Sequence, residues 1–272
     1  MTKVLIAFDG HHFSDGAFQF VRHLNQQQPV LAIGVFLPTI DYVELLYSFG
    51  GVITGPLYYQ DIALDDMAIV QENIDRFKLA CAQNGLEYRV HPDIEKHVIT
   101  EVKTESRFAD LLVIGSEFFY ENLGSDVQED YIENVLHKSE CPVILVPEHY
   151  AFPENVILAY DGSEYSVYAI KQFAYLFPAF TKLKTLLVYA GESEIPDAKY
   201  IEELGSAHFY YLSIYPLEIN SKKYFNTWLE DHGNSILVAG AYGRSALSEI
   251  LKKSFITDAI KDHKVPIFIA HK

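Results

Sequence analysis

Short apolar runs alternate along the chain with segments in which apolar residues recur every three or four positions. The run at 3–9 is continuous, whereas the apolar residues of 13–27 follow helical spacing. Continuous runs of this length are typical of buried parallel strands, and the wider spacing is typical of amphipathic helices. The pattern therefore predicts strands and helices in alternation.

The same reading extends over the whole chain. It predicts strands at 3–9, 30–37, 86–91, 110–115, 142–146, 155–161, 184–190, 207–214, 235–240 and 265–270. It predicts helices at 13–27, 60–84, 94–107, 163–178, 196–204, 220–232 and 254–262, with a loop and a helix within 116–138. Alternating βα units with apolar strands imply an α/β fold, with a parallel, doubly wound sheet and right-handed crossovers.

Two halves of the chain carry the same landmarks in the same order. Residues 4–10 return at 156–162, residues 111–115 return at 236–240, and residues 141–146 return at 265–270. Such self-similarity indicates a duplicated structural unit. We therefore expect two tandem domains, at 1–148 and 153–272, each with a five-stranded, mainly parallel sheet.

The second half is shorter than the first by about 28 residues, because the offset between landmarks falls from 152 to 124. The difference falls between the second and third strands, where the first half carries a long insert at 38–59. Loops of this length are usually functional or disordered, and disorder favours polar composition. This insert is apolar and aromatic, so we expect it to pack, as a lid on the first cleft, against another subunit, or in a plain structural role.

Composition and charge limit the classes of partner. The 272 residues are 49% hydrophobic with a formal net charge of -16, which argues against nucleic acid or an anionic membrane as the main partner. The two cysteines have no metal or redox spacing and are expected to be buried, and His11 and His12 are expected to be exposed loop residues. No signal-peptide pattern or membrane-length apolar run is present, so the expected location is the cytoplasm.

A candidate phosphate loop follows the fourth strand of the second half. Gly240 and Gly243 allow a tight turn and close approach of the backbone to a ligand, and Ser254 opens the last predicted helix. Helix N-termini bind phosphates through their free N–H groups and partial positive charge. On spacing alone, a two-glycine loop at this place is as often structural as phosphate-binding.

Charged residues near this loop strengthen the candidate. Arg244, Lys252 and Lys253 add local positive charge to an acidic chain. Asp161 ends the first strand of the second half, on the same predicted edge of the sheet, where it could accept hydrogen bonds from ribose hydroxyls.

These features resemble the universal stress proteins of tandem-domain type, and the likeness covers both halves. The family loop is Gly, two residues, Gly, nine residues, then Gly-Ser or Gly-Thr, and the second half has Gly240, Gly243 and Lys253-Ser254 at those positions. An aspartate also ends the first strand of each half (Asp9 and Asp161), and Cys-Pro-Val or a similar triplet opens each last strand.

The resemblance implies a Rossmann-like fold of the adenine nucleotide alpha hydrolase type and an ATP site in the second half. By analogy with the ATP-binding branch of the family, Asp161 and Val188 would contact the nucleoside, and Gly240, Gly243 and Ser254 would hold the phosphates. Lys253 departs from the family glycine, and its side chain would either crowd the phosphates or compensate their charge. Arg244, earlier in the same loop, would add positive charge to the site.

The first half departs further from the family loop. Gly115 is kept, but Phe118 replaces the second glycine, and Glu129-Asp130 stands where the second half has Lys253-Ser254. Carboxylates at a helix N-terminus satisfy the helix dipole and repel phosphate. We therefore expect the first half to be a self-filled anion site, with ATP confined to the second half.

The function implied by the resemblance is ATP-linked regulation of a stress response. Ser163 and Ser166 fit helix capping, neither a Gly-x-Ser-x-Gly elbow nor a P-loop occurs, and at most slow ATP hydrolysis is expected. A scaffold or interaction protein without nucleotide, and an adenylating enzyme of similar fold, stay open as alternatives. The family contact predicts an intrachain pseudo-dimer through 142–146 and 265–270, and it leaves a further homodimer open.

Overall fold

A single ten-stranded sheet runs through the computed structural model of the chain. The structure describes residues 1–9, 12–37, 57–91, 98–116, 139–189, 194–216, 228–229, 231–240 and 265–270. The first half contains β1 Thr2–Asp9, α1 Asp15–Gln27, β2 Val30–Leu37, α2 Leu57–Gln83, β3 Glu87–His91, α3 Val98–Ser106, β4 Leu111–Gly115 and β5 Val143–Val146. The second half contains β6 Asn155–Tyr160, α4 Glu164–Leu176, a 3-10 turn Phe180–Lys182, β7 Lys184–Tyr189, α5 Ala198–His208, β8 Tyr211–Pro216, β9 Ser235–Gly240 and β10 Ile267–Ala270.

The order of the strands is β3-β2-β1-β4-β5-β10-β9-β6-β7-β8. Each half therefore contributes five strands in the same internal order, and all strands within a half pair in parallel. This confirms the predicted α/β fold with two tandem, five-stranded, doubly wound units. The two units share one continuous sheet.

The halves meet where β5 and β10 pair in antiparallel orientation. Ile144 lies opposite Phe268, and these two residues are equivalent in the duplication, 124 positions apart. The flanking pairs, Val143 with Ile269 and Leu145 with Ile267, exchange equivalent positions. A pseudo-twofold axis thus passes between Ile144 and Phe268, which confirms the predicted contact through the last strand of each half.

Apolar side chains cover both faces of this sheet. On one face, Phe8, Val156 and their neighbours pack under α1, α2, α4 and α5. On the other face, Leu5, Ile157 and their neighbours pack with Val102 of α3 and with Leu229. Burial on both faces explains why the strands read as continuous apolar runs. Within the described parts of the chain, no helix has the length and apolar character needed to span a membrane.

Most predicted elements are found within a few residues of their expected ends, and the largest difference concerns α5. The sequence predicted a helix at 196–204 and a strand from 207, but α5 continues to His208 and β8 begins at Tyr211. Gly205, just beyond the predicted end of this helix, lies inside α5. A Cβ on Gly205 would come within 2.6 Å of Leu212 Cδ2, so glycine lets α5 approach β8 closely.

The crossover from the second to the third strand differs between the halves as predicted. In the first half, β2 ends at Leu37 and β3 begins at Glu87; in the second, β7 ends at Tyr189 and β8 begins at Tyr211. The helix in this crossover has 27 residues in the first half and 11 in the second. The last three residues of the predicted 38–59 insert belong to α2, and 38–56 lies outside the described residues.

The helices predicted within 116–138 and at 254–262 also lie outside the described residues, as do residues 220–227 of the predicted 220–232 helix.

The linker between the halves, residues 147–154 between β5 and β6, is packed against both of them. Phe152 lies 5.9 Å from Phe20 of α1 and 5.8 Å from Phe180 of the second half, measured between ring centroids. Gln28, which follows α1, donates a hydrogen bond to the carbonyl of Leu176 at the end of α4 (3.1 Å). These contacts supplement the β5–β10 ladder and fix the halves relative to each other.

We expect Phe268→Ala to lower the free energy of unfolding by about 3–5 kcal/mol, the usual cost of truncating a buried phenylalanine. Phe268 of β10 is fully buried, and its ring packs into the second half, 5.3 Å from that of Phe173 of α4. Urea denaturation followed by circular dichroism measures the change. Phe108→Ala is the control, because Phe108 is 66% exposed; equal losses for the two variants would contradict the central role of this junction.

Candidate functional site

The carboxyl ends of β6, β7 and β9 form one edge of the second half. Val188 of β7 pairs with Ala159 of β6, and Leu158 of β6 pairs with Val238 of β9. Asp161, Val188 and Gly240 therefore lie at the same edge, where parallel α/β sheets commonly bind ligands. The structure thus brings together three of the seven residues that the sequence predicted for the site.

Asp161 stands on the exposed rim of this edge, held by the turn that leads into α4. Its Oδ1 accepts a hydrogen bond from the backbone N–H of Ser163 (2.9 Å). Gly162 between them has φ of +84°, a conformation that favours glycine, and Pro196 packs closely against it. Ser163 is the N-cap of α4, with its hydroxyl accepting from the N–H of Ser166, so the predicted capping role is confirmed.

Gly240 has a packing role that the sequence did not reveal. A Cβ on Gly240 would lie 2.3 Å from the carbonyl carbon of Tyr165 and 2.4 Å from the nitrogen of Ser166, so β9 touches the first turn of α4. The equivalent Gly115 packs in the same way, with its added Cβ 2.4 Å from Ser14 Oγ at the start of α1. Because both halves need this glycine for packing, it does not by itself distinguish a ligand site.

Val188 supports the edge from beneath. Its side chain is 2% exposed and belongs to the apolar cluster that includes Ile157 and Leu237. The remaining predicted residues of the site, Gly243, Arg244, Lys253 and Ser254, lie outside the described residues. The same holds for Lys252 and for Phe118 and Glu129-Asp130 of the first half.

Aromatic residues at the carboxyl edge differ between the halves. In the first half, Phe8 stacks on Phe13 and Phe36, with ring centroids 4.7 and 5.0 Å away. The equivalent positions in the second half are tyrosines, namely Tyr160, Tyr165 and Tyr189. The first half therefore closes this edge with apolar rings, whereas the second half places phenol hydroxyls there.

Tyr160 shows what the added hydroxyl does. It donates a hydrogen bond to the carbonyl oxygen of Pro196 (2.9 Å), joining the end of β6 to the loop before α5. Burial raises the pKa of Tyr160, and the carboxylates of Asp197 and Asp161 add to the shift. The phenol therefore stays protonated and acts as a hydrogen-bond donor beside Asp161.

Glu148 occupies the start of α1 in the first half, and sequence reasoning missed this contact. Its Oε2 accepts hydrogen bonds from Ser14 Oγ (2.9 Å) and the N–H of Gly16 (3.2 Å), and its Oε1 accepts from the N–H of Asp15 (2.9 Å). Backbone N–H groups at a helix start are donors without intrahelical partners, and a carboxylate there also meets the positive end of the helix dipole. A glutamate two residues after the last strand of the first half was the only signal, because the contact spans more than 130 residues.

This contact is separate from the self-filling that the sequence predicted for the first half. The sequence predicted self-filling by Glu129-Asp130 at the last helix, which lies outside the described residues. In the described residues, the carboxylate that occupies a helix start in the first half is Glu148, at α1. Gly16 allows it, because a Cβ there would lie 2.2 Å from the carbonyl oxygen of Pro147.

Other candidate chemistry finds no support in the described residues. Within those residues, no group of three or more His, Cys, Asp or Glu could hold a metal ion. Cys81 and Cys141 are buried as predicted, and burial raises the pKa of each thiol to about 12. His12 is partly buried, whereas the sequence predicted an exposed loop residue. His11 lies outside the described residues.

Comparison with known proteins supports the fold. Neither a family model nor a curated protein matches the sequence. Among solved structures, the chain is similar to a universal stress protein from Archaeoglobus fulgidus DSM 4304, with a TM-score of 0.68, 16% identity and coverage of 99% of this chain and 98% of that chain. It is also similar to the cytoplasmic domain of a prokaryotic cation chloride cotransporter, with a TM-score of 0.50, 12% identity and coverage of 98% and 94%.

The likeness to the archaeal universal stress protein extends over the whole chain, so the chain has the fold of that protein, including both halves. The predicted resemblance is confirmed at this level. At 16% identity the likeness shows the fold and not the ligand.

We expect Glu148→Gln to lower the free energy of unfolding by about 1–3 kcal/mol, because the amide removes the charge and replaces one acceptor oxygen with a donor that faces N–H groups. Urea denaturation at neutral pH measures the loss. The control is Glu154→Gln, the same change at an exposed position of the same linker. An unchanged midpoint for Glu148→Gln would show that the carboxylate does not stabilise the start of α1.

Proposed function

We propose that the second half binds an adenine nucleotide, ATP, at the carboxyl edge of β6, β7 and β9, and that the protein acts as a stress-response regulator. The observation that carries the proposal is the difference between the two edges. In the first half Glu148 occupies the start of α1, whereas in the second half Asp161 stands exposed beside the start of α4.

The chemistry of this edge suits a nucleoside. An exposed carboxylate next to a capped helix start accepts hydrogen bonds from ribose hydroxyls, and Tyr160 holds the neighbouring loop in place. Val188 gives the edge an apolar floor. Gly243, Arg244, Lys253 and Ser254 follow β9 in sequence and would hold the phosphates, as the family loop does.

Regulation fits these residues better than turnover. In the described part of the second half, Asp161 accepts a hydrogen bond within its own turn, and Ser163 and Ser166 are engaged in capping α4. A nucleophile must be activated by a neighbouring base, and these serines serve the helix instead. We therefore propose that the unit at 153–272 binds the nucleotide with at most slow hydrolysis, that the unit at 1–148 does not bind it, and that the protein lies in the cytoplasm.

A scaffold without nucleotide is the second candidate. The similarity to the cytoplasmic domain of a cation chloride cotransporter favours it, because that domain is part of a transporter and has the same type of fold. The packing role of Gly240 also accounts for one loop glycine without a ligand. Binding measurements separate the two candidates.

We expect isothermal titration with ATP to give one site per chain. Asp161→Ala should weaken binding by about ten- to a hundred-fold, since it removes charge-assisted hydrogen bonds to the ribose. Asp9→Ala is the matched control, because Asp9 ends β1 as Asp161 follows β6, and it should leave the affinity unchanged. Two equivalent sites, or a loss confined to Asp9→Ala, would contradict the proposed asymmetry.

Lys253→Gly tests whether the lysine helps or blocks the phosphates. We expect about ten- to a hundred-fold weaker ATP binding, the loss of one charge-assisted hydrogen bond, because Lys253 lies in a cationic segment of an acidic chain. Stronger binding would mean that its side chain only crowds the ligand. Gly243→Asp should abolish binding by placing a carboxylate in the loop. If the wild type and both variants bind no ATP, ADP or AMP at millimolar concentration, the scaffold candidate stands.

A further inference from the structure

The two outer edges of the sheet differ in charge. The edge strand of the first half, β3, carries Glu87 and Arg89 as exposed residues. The edge strand of the second half, β8, has the sequence Tyr-Leu-Ser-Ile-Tyr-Pro and carries no charge. Charged side chains on an edge strand discourage pairing with another chain; β3 has them along the strand, whereas β8 has only Pro216, at its end, as a protective residue.

The side chains of β8 alternate between a packed face and an exposed face. Leu212 and Ile214 are partly buried against the apolar core, with Leu212 next to Gly205 of α5. Ser213 is exposed, and so are Tyr211 and Tyr215, whose side chains are 66% and 55% exposed. Among the described residues, no strand pairs with the outer edge of β8.

The sequence of β8 is symmetric about Ser213. If a second β8 lies antiparallel to it with the two Ser213 residues opposite each other, Tyr211 faces Tyr215 and Leu212 faces Ile214. Such a pairing is isologous, since each contact occurs twice about the twofold axis, and here it brings tyrosine against tyrosine and aliphatic against aliphatic residue. Aromatic pairs opposite each other across antiparallel strands are stabilising.

We propose that β8 is a homodimerisation strand, which pairs with β8 of a second copy of this chain around a twofold axis through Ser213. The pairing repeats, between two chains, the geometry that β5 and β10 already adopt within one chain around Ile144 and Phe268. It joins two ten-stranded sheets into one continuous sheet.

Charge selects a second β8 over other strands of the same protein. The chain has a formal net charge of -16, so most contacts between two copies bring carboxylates together. The β8 strands themselves add no like charges to the contact, since none of their six residues is charged. Pairing of β8 with β3 would leave Glu87 and Arg89 opposite uncharged residues, without partners of opposite sign.

The interface is short, so the dimer depends on concentration. A single pair of six-residue strands buries less surface than the roughly 1,600 Å² of a standard stable interface. Four tyrosine side chains supply most of its apolar area, and such side chains bury about 150–250 Å² each when fully covered. The association does not depend on nucleotide, so its test is separate from that of the proposed function.

Disulfide cross-linking tests the predicted register. Opposed residues in an antiparallel pair have Cβ atoms about 4.5–5.5 Å apart, close to the span of a disulfide, so Ser213→Cys should yield a covalent dimer under mild oxidation. Arg89→Cys is the matched control on β3, 124 positions earlier, and Tyr211→Cys is the register control, because it faces Tyr215; both should remain mainly monomeric in non-reducing electrophoresis. The native Cys81 and Cys141 are buried and do not compete. Equal cross-linking of Ser213→Cys and Arg89→Cys would overturn the proposal.

Sedimentation velocity over a range of protein concentrations tests the dimer without cross-linking. We expect a reversible dimer for the wild type and for Arg89→Ser, and a Kd raised by about tenfold or more in Ser213→Arg, which places like charges opposite each other. Circular dichroism confirms that each variant is folded. A wild type that stays monomeric to millimolar concentration, or a dimer that Ser213→Arg leaves intact, would overturn the proposal.

Discussion

The antiparallel pairing of β5 with β10 is the contact on which the rest of the structure depends. It places equivalent residues, Ile144 and Phe268, opposite each other, and it turns two five-stranded sheets into one. An exposed strand edge carries unpaired N–H and C=O groups, and the pairing satisfies these groups for both halves at once. The carboxyl edges of the two halves are thereby fixed within a single frame, and the packed linker holds them there.

Within this frame the two carboxyl edges have diverged by small chemical changes. Phenylalanines become tyrosines from the first half to the second, and a long-range carboxylate, Glu148, occupies one helix start. The shared glycines, Gly115 and Gly240, hold the strands against the helices in both halves. Packing is therefore conserved between the halves while the polarity of the edge changes, which is how a duplicated fold can keep its stability and differ in binding.

The outer edges of the sheet have diverged in the same manner. Charge protects β3, whereas β8 is uncharged and symmetric about Ser213. Every strand at the edge of a five-stranded unit carries unpaired backbone N–H and C=O groups. At the junction β5 and β10 satisfy these groups by pairing with each other, and on β3 charged side chains discourage pairing with another chain. The crossovers that lead to the two outer strands also differ in length: the helix before β3, α2, has 27 residues, and the helix before β8, α5, has 11.

The sequence by itself determined the alternation of elements, the duplication and the parallel direction of the strands within each half, because buried parallel strands and amphipathic helices leave periodic patterns. It also located the shortened crossover and the cap at Ser163. Only the tertiary structure decided the contacts between residues distant in the chain: Glu148 at the start of α1, the packing of Gly240 on α4, and Gly205 against β8. The helix predicted at 196–204 ended too early for this reason, because the sequence alone does not show that Gly205 packs against Leu212 of β8.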